Sequence, residues 1–332
     1  MKYFVTGATG FIGGRIARQL VEAGDEVVAL ARNRARADNL HTLGVSVHIG
    51  DITDRESLRA PMTGVDGVFH VAAWYKVGTR DKRAAEHVNV QGTRNVLEMM
   101  RELDIPKGVY TSSLAVFSDT RGRLVDESYR HNGPWLSEYD RTKWLAHYQV
   151  AQPMIDAGLP LVIVQPGVVY GPGDEGPTRD SLRLFLLGKM PLLPRRTAYC
   201  WGHVDDTARG HVLAMQRGAV GQSYIIAGPP HTLIEAMELA AKISGVPAPR
   251  LRAPASLLKL MSNLMRPVDA LVALPESYTP EFLRIIAGAT YIGSNAKAKR
   301  ELGLEMRSLQ AGLPETLEHE MRQLGMTPRM RA

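Results

Sequence analysis

Tyr139 and Lys143 stand four residues apart in Tyr139-Asp140-Arg141-Thr142-Lys143. On a helix, side chains at i and i+4 share one face. An ammonium beside a phenol stabilises the phenolate and lowers the phenol pKa from about 10 towards working pH. Such a phenol can deliver or remove a proton. The spacing alone occurs often by chance, and its weight comes from company. Thr111-Ser112-Ser113 ends a β-branched run, and Thr6-Gly7-Ala8-Thr9-Gly10-Phe11-Ile12-Gly13 opens the chain. Three glycines between a first strand and a first helix suit a tight turn, close approach of backbone to a pyrophosphate, and helix–strand packing. Gly7, Thr9, Gly10, Phe11, Ile12 and Gly13 are therefore candidate contacts of a dinucleotide.

The second strand, about 20 residues on, discriminates NAD from NADP. It ends Leu30-Ala31-Arg32-Asn33-Arg34, with no acid and two guanidiniums. Arginine pairs bidentately with phosphate, which a carboxylate would repel. NADP(H) is favoured on this reading, with Arg32 on the 2′-phosphate and Arg34 assisting. NAD(H) is the alternative, in which both arginines only solvate a loop. Asp51-Ile52, after the third strand, are placed to meet the adenine, and Asp51 also suits a helix N-cap.

The elements that must position these groups alternate along the first half. Tyr3–Val5, Glu26–Leu30, Val45–Ile49, Gly67–Val71, Gly108–Thr111 and Leu161–Val164 are short β-branched or aromatic runs. Between them lie helical spacings, the longest near 83–102 and 137–157. Alternation of this kind predicts a doubly wound α/β fold of Rossmann type, with helices on both faces of a parallel sheet. Ser223–Ala227 reads as one more strand. The expected division is a nucleotide-binding domain over 1–168 plus about 200–228, and a smaller substrate lobe over about 169–199 and 229–332. Ala255 to Met265 has helical apolar spacing, which fits a lid, a membrane-surface patch or core packing.

Composition narrows the classes further. The chain has 332 residues, 45% hydrophobic, enough to exclude disorder. Net charge is +6, but Lys and Arg are spread along the chain rather than gathered in a stripe, which argues against nucleic acid as partner. Cys200 is the one cysteine, so no internal disulfide forms and no oxidising compartment is needed. The first strand begins at once, leaving no room for a secretory signal. Prolines at 160, 166 and 172 interrupt the main uncharged run, so no membrane span is expected. A cytoplasmic protein follows, and no metal site is read.

Taken together, Thr-Gly-Ala-Thr-Gly-Phe-Ile-Gly, Ser-Ser-x-Ala-Val-Phe, Tyr-x-x-x-Lys and His203-Val204-Asp205-Asp206 resemble the extended short-chain dehydrogenase/reductase family. That family includes nucleotide-sugar epimerases, dihydroflavonol 4-reductases and 3β-hydroxysteroid dehydrogenases, and the similarity runs from Met1 to about Gly325. The resemblance implies that Tyr139 is the acid/base and that Lys143 binds the nicotinamide ribose and tunes Tyr139. Ser113 would hydrogen-bond the substrate oxygen. Asn89 would support the site from a neighbouring helix, or serve only as a packing amide. Ala72, Ala73, Pro166 and Gly167 would flank the nicotinamide. A homodimer built on the two long helices is also implied.

Two departures bear on the branch. Leu114-Ala115 stand where the family's dehydratases carry Asp-Glu. Tyr199-Cys200-Trp201-Gly202 precede His203, where nucleotide-sugar enzymes carry an Arg, although Arg195 and Arg196 lie just upstream. Tyr75, Tyr199 and Trp201 are candidate substrate contacts or lobe packing, and an aromatic pocket suits an apolar ketone or aldehyde. The favoured reading is an NADPH-dependent carbonyl reductase of a small molecule, similar to dihydroflavonol 4-reductase. A nucleotide-sugar epimerase is the first alternative, and a non-catalytic NADP-sensing protein the second.

Overall fold

A computed structural model describes residues 1–272, 274 and 279–327. Seven parallel strands form the main sheet: β1 (Lys2–Thr6), β2 (Glu26–Ala31), β3 (Ser46–Ile49), β4 (Gly67–His70), β5 (Gly108–Thr111), β6 (Leu161–Pro166) and β7 (Ser223–Ile226). Their spatial order is 3-2-1-4-5-6-7, so the direction of winding reverses between β1 and β4. Ligands of open sheets bind at such a switch point, beyond the carboxyl ends of the strands.

The central strands read as continuous apolar runs because both faces are covered. Helix α1 (Phe11–Glu22) turns Ile16, Ala17 and Leu20 onto one face, where they join Val5, Val109 and Val162 in a buried cluster. Phe4, Val68, Tyr110 and Ile163 point to the other face, against Val96, Leu97 and Met100 of α2 (Thr93–Glu102). The two long helical segments are present, each broken by one wide π turn, at His87–Gly92 and Ala146–Ala151. Turns of this kind are rare and concentrate at functional sites.

Beyond β6 the chain builds a second, smaller set of elements. The strand Ala198–His203 pairs with Pro230–Thr232, Thr290–Tyr291 and Val168–Tyr170 rather than with the main sheet. Helix α3 (Glu138–Leu145) precedes β6, α4 (Val204–Arg217) packs on α1, and α5 (Ala255–Leu271) and α6 (Pro280–Ile286) form a hairpin at the far end. Of the 255–265 segment only Leu258 and Ser262 are buried, so core packing describes one face of that helix and no more. Cys200 is buried between β-elements, its Sγ 3.3 Å from the Gly293 carbonyl oxygen, and burial pushes its thiol up to about 11. It is a packing group and not a nucleophile.

Candidate active site

The glycine turn lies where β1 meets α1. Gly7 has φ +73°, a region glycine adopts at no steric cost, and a Cβ there would sit 2.8 Å from the Ala72 nitrogen. A Cβ on Gly13 would lie 2.2 Å from the Gly7 carbonyl oxygen. Thr6 Oγ1 accepts from the backbone nitrogens of Val71 (3.1 Å) and Ala72 (3.2 Å), tying the turn to the loop after β4. Gly10 is the N-cap of α1 and carries no capping side chain, and Thr9 and Gly10 are exposed. The first backbone N–H groups of the helix therefore stand open at its positive end, a cradle that fits a pyrophosphate. Phe11 and Ile12 are half-buried, and Ile12 packs on the core beneath. Replacing Gly13 with Ala is expected to cost about 1–3 kcal/mol through overpacking and to weaken dinucleotide binding in the same variant. Urea unfolding and a tryptophan-quenching titration check both, and an unchanged pair of values would show that the cradle tolerates a methyl group.

Arg32 and Arg34 are exposed just past β2, and neither forms an ion pair among the described residues. Asp51 receives two hydrogen bonds from Thr53, N and Oγ1, each 2.9 Å, so its carboxylate closes a turn. The capping role expected of it belongs instead to Asp54, which accepts from the Glu56 nitrogen at 3.2 Å. Ile52 is buried with its side chain against Gly92, and its carbonyl oxygen accepts from Asn95 Nδ2 at 2.8 Å. Ala72 and Ala73 lie half-buried after β4. Gly167 follows Pro166 at the end of β6, where a Cβ would meet the Cys200 carbonyl oxygen at 2.2 Å.

The proton-handling groups converge at the carboxyl ends of β5 and β6. Ser137 caps α3, which projects Tyr139 and Lys143 towards β5. The Ser113 hydroxyl accepts from the Ala115 nitrogen at 3.1 Å and is the neighbour that pulls the Tyr139 phenol pKa down. Lys143 is buried, donates from Nζ to the Thr111 carbonyl oxygen at 2.7 Å, and lies 5.0 Å over the Tyr110 ring. The ammonium is thus committed to a backbone oxygen. Burial lowers its pKa to about 7. The Tyr139 phenol is not lowered, as the spacing predicts, but pushed up to about 12, first by burial and then by the Asp140 charge, against the pull of Ser113. Dehydration of the phenolate is the largest of these effects.

Asn89 sits on the first π turn. Its Oδ1 accepts from the Trp74 nitrogen at 2.7 Å, and its Nδ2 donates to the Trp74 carbonyl oxygen and to Thr142 Oγ1, both at 2.9 Å. One amide therefore fixes the loop after β4 to the residue beside Lys143. Tyr75 is exposed at the mouth of this loop, near the 174–176 turn. Tyr199 stacks on Tyr291 with ring centroids 5.9 Å apart. Trp201 meets Tyr199 edge-on, with ring centroids 6.3 Å apart. Its indole is buried in the smaller core with Tyr170 and Leu313 and donates to the His231 carbonyl oxygen at 3.3 Å.

Two carboxylates that sequence reasoning passed over bracket Tyr139. Asp140 is buried and accepts from Ser118 (2.9 Å), Ser137 (2.7 Å) and the Tyr291 hydroxyl (3.0 Å). Glu281 of α6 accepts at Oε1 from the nitrogens of Glu138 and Gly78, each 3.1 Å. Both connect helix α3 to elements some 140 residues away. In the sequence they are indistinguishable from solvated surface acids.

Beneath the site three buried histidines cross-link the sheet. His70 contacts Thr6 Oγ1 (2.8 Å) and Thr93 Oγ1 (3.0 Å), His147 contacts Ser112 Oγ (2.7 Å), and His211 contacts Thr111 Oγ1 (2.9 Å). Burial lowers their pKa values to about 3, 3 and 4. The unfolded chain then binds more protons below the ordinary histidine value, so this stability is present above about pH 6.5 and lost as pH falls. At pH 5 each histidine costs about 2 kcal/mol relative to neutral pH. Asp140, raised to about 6 by burial, and Asp174 and Glu281, also raised, act in the opposite sense. The net expectation is a urea midpoint that drops between pH 7.5 and 5, with His211→Asn flattening the slope. A flat or rising profile would contradict neutral burial of these rings.

The fold and this site define an NAD(P)-dependent enzyme of the extended short-chain dehydrogenase/reductase type. The chain belongs to the NAD dependent epimerase/dehydratase family, whose model matches residues 3–227. It is 34% identical over 95% of its length, and 93% of the relative, to a Synechocystis sp. protein assigned as a dihydroflavonol 4-reductase. It is 31% identical to the 4-hydroxy-2-methyl-3-oxo-4-farnesyl-3,4-dihydroquinoline-1-oxide ketoreductase of Stigmatella aurantiaca, covering 91% of each chain. The dTDP-glucose 4,6-dehydratase of Streptomyces venezuelae, solved with NAD bound, shares the fold with a TM-score of 0.78, 24% identity and 98% coverage of both chains. No helix among the described residues is long and apolar enough to cross a membrane.

Proposed function

We propose that the chain reduces an apolar ketone or aldehyde with NADPH. The observation that carries this reading is the placement of Tyr139 and Lys143 on the Ser137-capped helix α3 against the Thr111–Ser113 end of β5, where Lys143 Nζ donates to the Thr111 carbonyl oxygen at 2.7 Å, at the edge of the sheet where substrate is expected. A reductase needs a proton donor in that place. NADPH, when bound, would supply the hydride for the carbonyl carbon. Ser113 and Tyr139 hydrogen-bond the carbonyl oxygen, and Tyr139 gives its proton to that oxygen as negative charge develops on it, so the product is an alcohol. Lys143 places positive charge near the resulting phenolate. Asn89, through Trp74, holds the loop that borders the substrate. Arg32 and Arg34, free of carboxylates, support recognition of the 2′-phosphate.

The aromatic pair Tyr199–Tyr291 and the exposed Tyr75 support an apolar substrate, as do the ketoreductase and dihydroflavonol reductase names among the relatives. The test is a panel of aryl and long-chain ketones and aldehydes followed by NADPH absorbance, run beside UDP- and dTDP-sugars assayed for epimerisation. Turnover of apolar carbonyls with NADPH is expected. Epimerisation without net cofactor consumption would establish the epimerase instead. Cofactor binding with no turnover of either panel would leave a sensor.

A further inference from the structure

Fifteen large apolar side chains are exposed among the described residues, and seven of them fall within 257–272. Leu257, Leu260, Met261, Leu264, Val268 and Leu271 recur at spacings of three and four, which sets them on one face of α5. Their exposure runs from 37% at Met261 to 85% at Leu271. The helix is held to the body by a different face, where Leu258 packs with Leu283 and Ala287 and Ser262 Oγ donates to the Pro280 carbonyl oxygen at 2.7 Å. The exposed stripe is therefore additional to the contact that the fold uses. A continuous apolar patch of this length marks an interaction surface.

Its electrostatic surroundings select the occupant. Lys259 and Arg266 are exposed on the helix with no carboxylate partner among the described residues. The exposed Arg195 and Arg196 form a turn beside Ala255, across Gly288. The one acid on the helix, Asp269, is engaged by Arg80 at 3.6 Å. Lys259 and Arg266 lie on the side of the helix turned away from the stripe, and an apolar stripe with a basic opposite face is the pattern of a helix that lies in a membrane interface. An anionic bilayer would take the apolar stripe into its headgroup–acyl boundary and attract the basic face. We infer that α5 lies on an anionic membrane surface through its 257–271 stripe. The same hairpin holds the loop that borders the candidate site, since Arg80 also donates to the Val272 carbonyl oxygen and Glu281 to Gly78 N–H is an accepting contact. A membrane-seated α5 thus puts the site mouth beside the bilayer.

Flotation of the full chain with phosphatidylcholine vesicles, with and without phosphatidylglycerol, tests this. Binding to the anionic vesicles is expected, at least tenfold tighter than to the zwitterionic ones and weakened by salt. Leu260→Glu/Leu264→Glu is expected to lower it at least tenfold, and Lys259→Glu/Arg266→Glu to remove the preference for anionic lipid. Dinucleotide binding, followed by tryptophan quenching, should stay unchanged in both variants and certifies their fold. Absence of vesicle binding, or equal binding to both compositions, overturns the proposal. So does a dimer by light scattering that Leu260→Glu/Leu264→Glu dissociates, because a second copy then covers the stripe.

Discussion

Replacing Tyr139 with Phe is expected to lower the rate of carbonyl reduction by about 10²–10⁴-fold, the range that a positioned proton donor contributes. The substitution removes one oxygen and little else. The ring keeps its place on α3, whose start is capped by Ser137 and held through the Glu138 nitrogen by Glu281. Asp140 keeps its three hydroxyl partners, so the helix should hold its position. NADPH affinity should therefore stay within about twofold, since a loss confined to the transition state appears in kcat and kcat/KM alike. The pH profile carries independent information. With the phenol at about 12 and Lys143 at about 7, wild-type activity should persist through neutral pH, with Lys143 charge lost above that value. Loss of the lysine charge should slow the step by removing its support for developing phenolate. A Phe variant that retains a tenth or more of the wild-type rate would mean that Ser113 or water delivers the proton.

What the sequence made legible was local. The glycine turn could be read because Gly7 and Gly13 are required by contacts within six residues of each other or with the adjacent strand. Tyr139 and Lys143 could be paired because a helix enforces their spacing, and the central strands because burial on both faces demands unbroken apolar runs. The anchoring of their helix was not legible. It depends on Asp140 meeting Tyr291 and on Glu281 meeting Glu138, contacts made across more than 140 residues by acids with no distinguishing neighbours. The direction of the Tyr139 shift was missed because spacing reports proximity to Lys143 and says nothing of dehydration. Trp201 shows a related failure. Alternation along the Ala198–His203 strand sets it on the same face as Tyr199, in edge-on contact, but does not tell that Trp201 sinks into the smaller core while Tyr199 reaches Tyr291. The wide turns at His87–Gly92 and Ala146–Ala151 left no trace in the apolar periodicity, yet one of them aims Asn89 at Trp74.

Reversing the charge at Arg32 is expected to weaken NADPH by about 100-fold while leaving NADH within about threefold. A hydrogen bond to a charged group contributes about 1.5–3 kcal/mol, and the introduced carboxylate adds repulsion of a dianionic phosphate. The side chain is exposed and holds no ion pair among the described residues, so Arg32→Glu breaks nothing in the folded protein. Any loss is then a binding effect rather than a stability effect. Arg34→Ala should cost less, since it plays the assisting part. Lysine at position 32 should restore only part of the affinity, because an ammonium cannot make the bidentate contact. Titration of each variant with NADPH and NADH by tryptophan quenching separates the cases. Tight NADH binding that is indifferent to position 32 would assign the ribose to a 2′-hydroxyl site and move the epimerase reading ahead of the reductase. Loss of both cofactors together would place Arg32 on the shared pyrophosphate instead, where it could not discriminate between them.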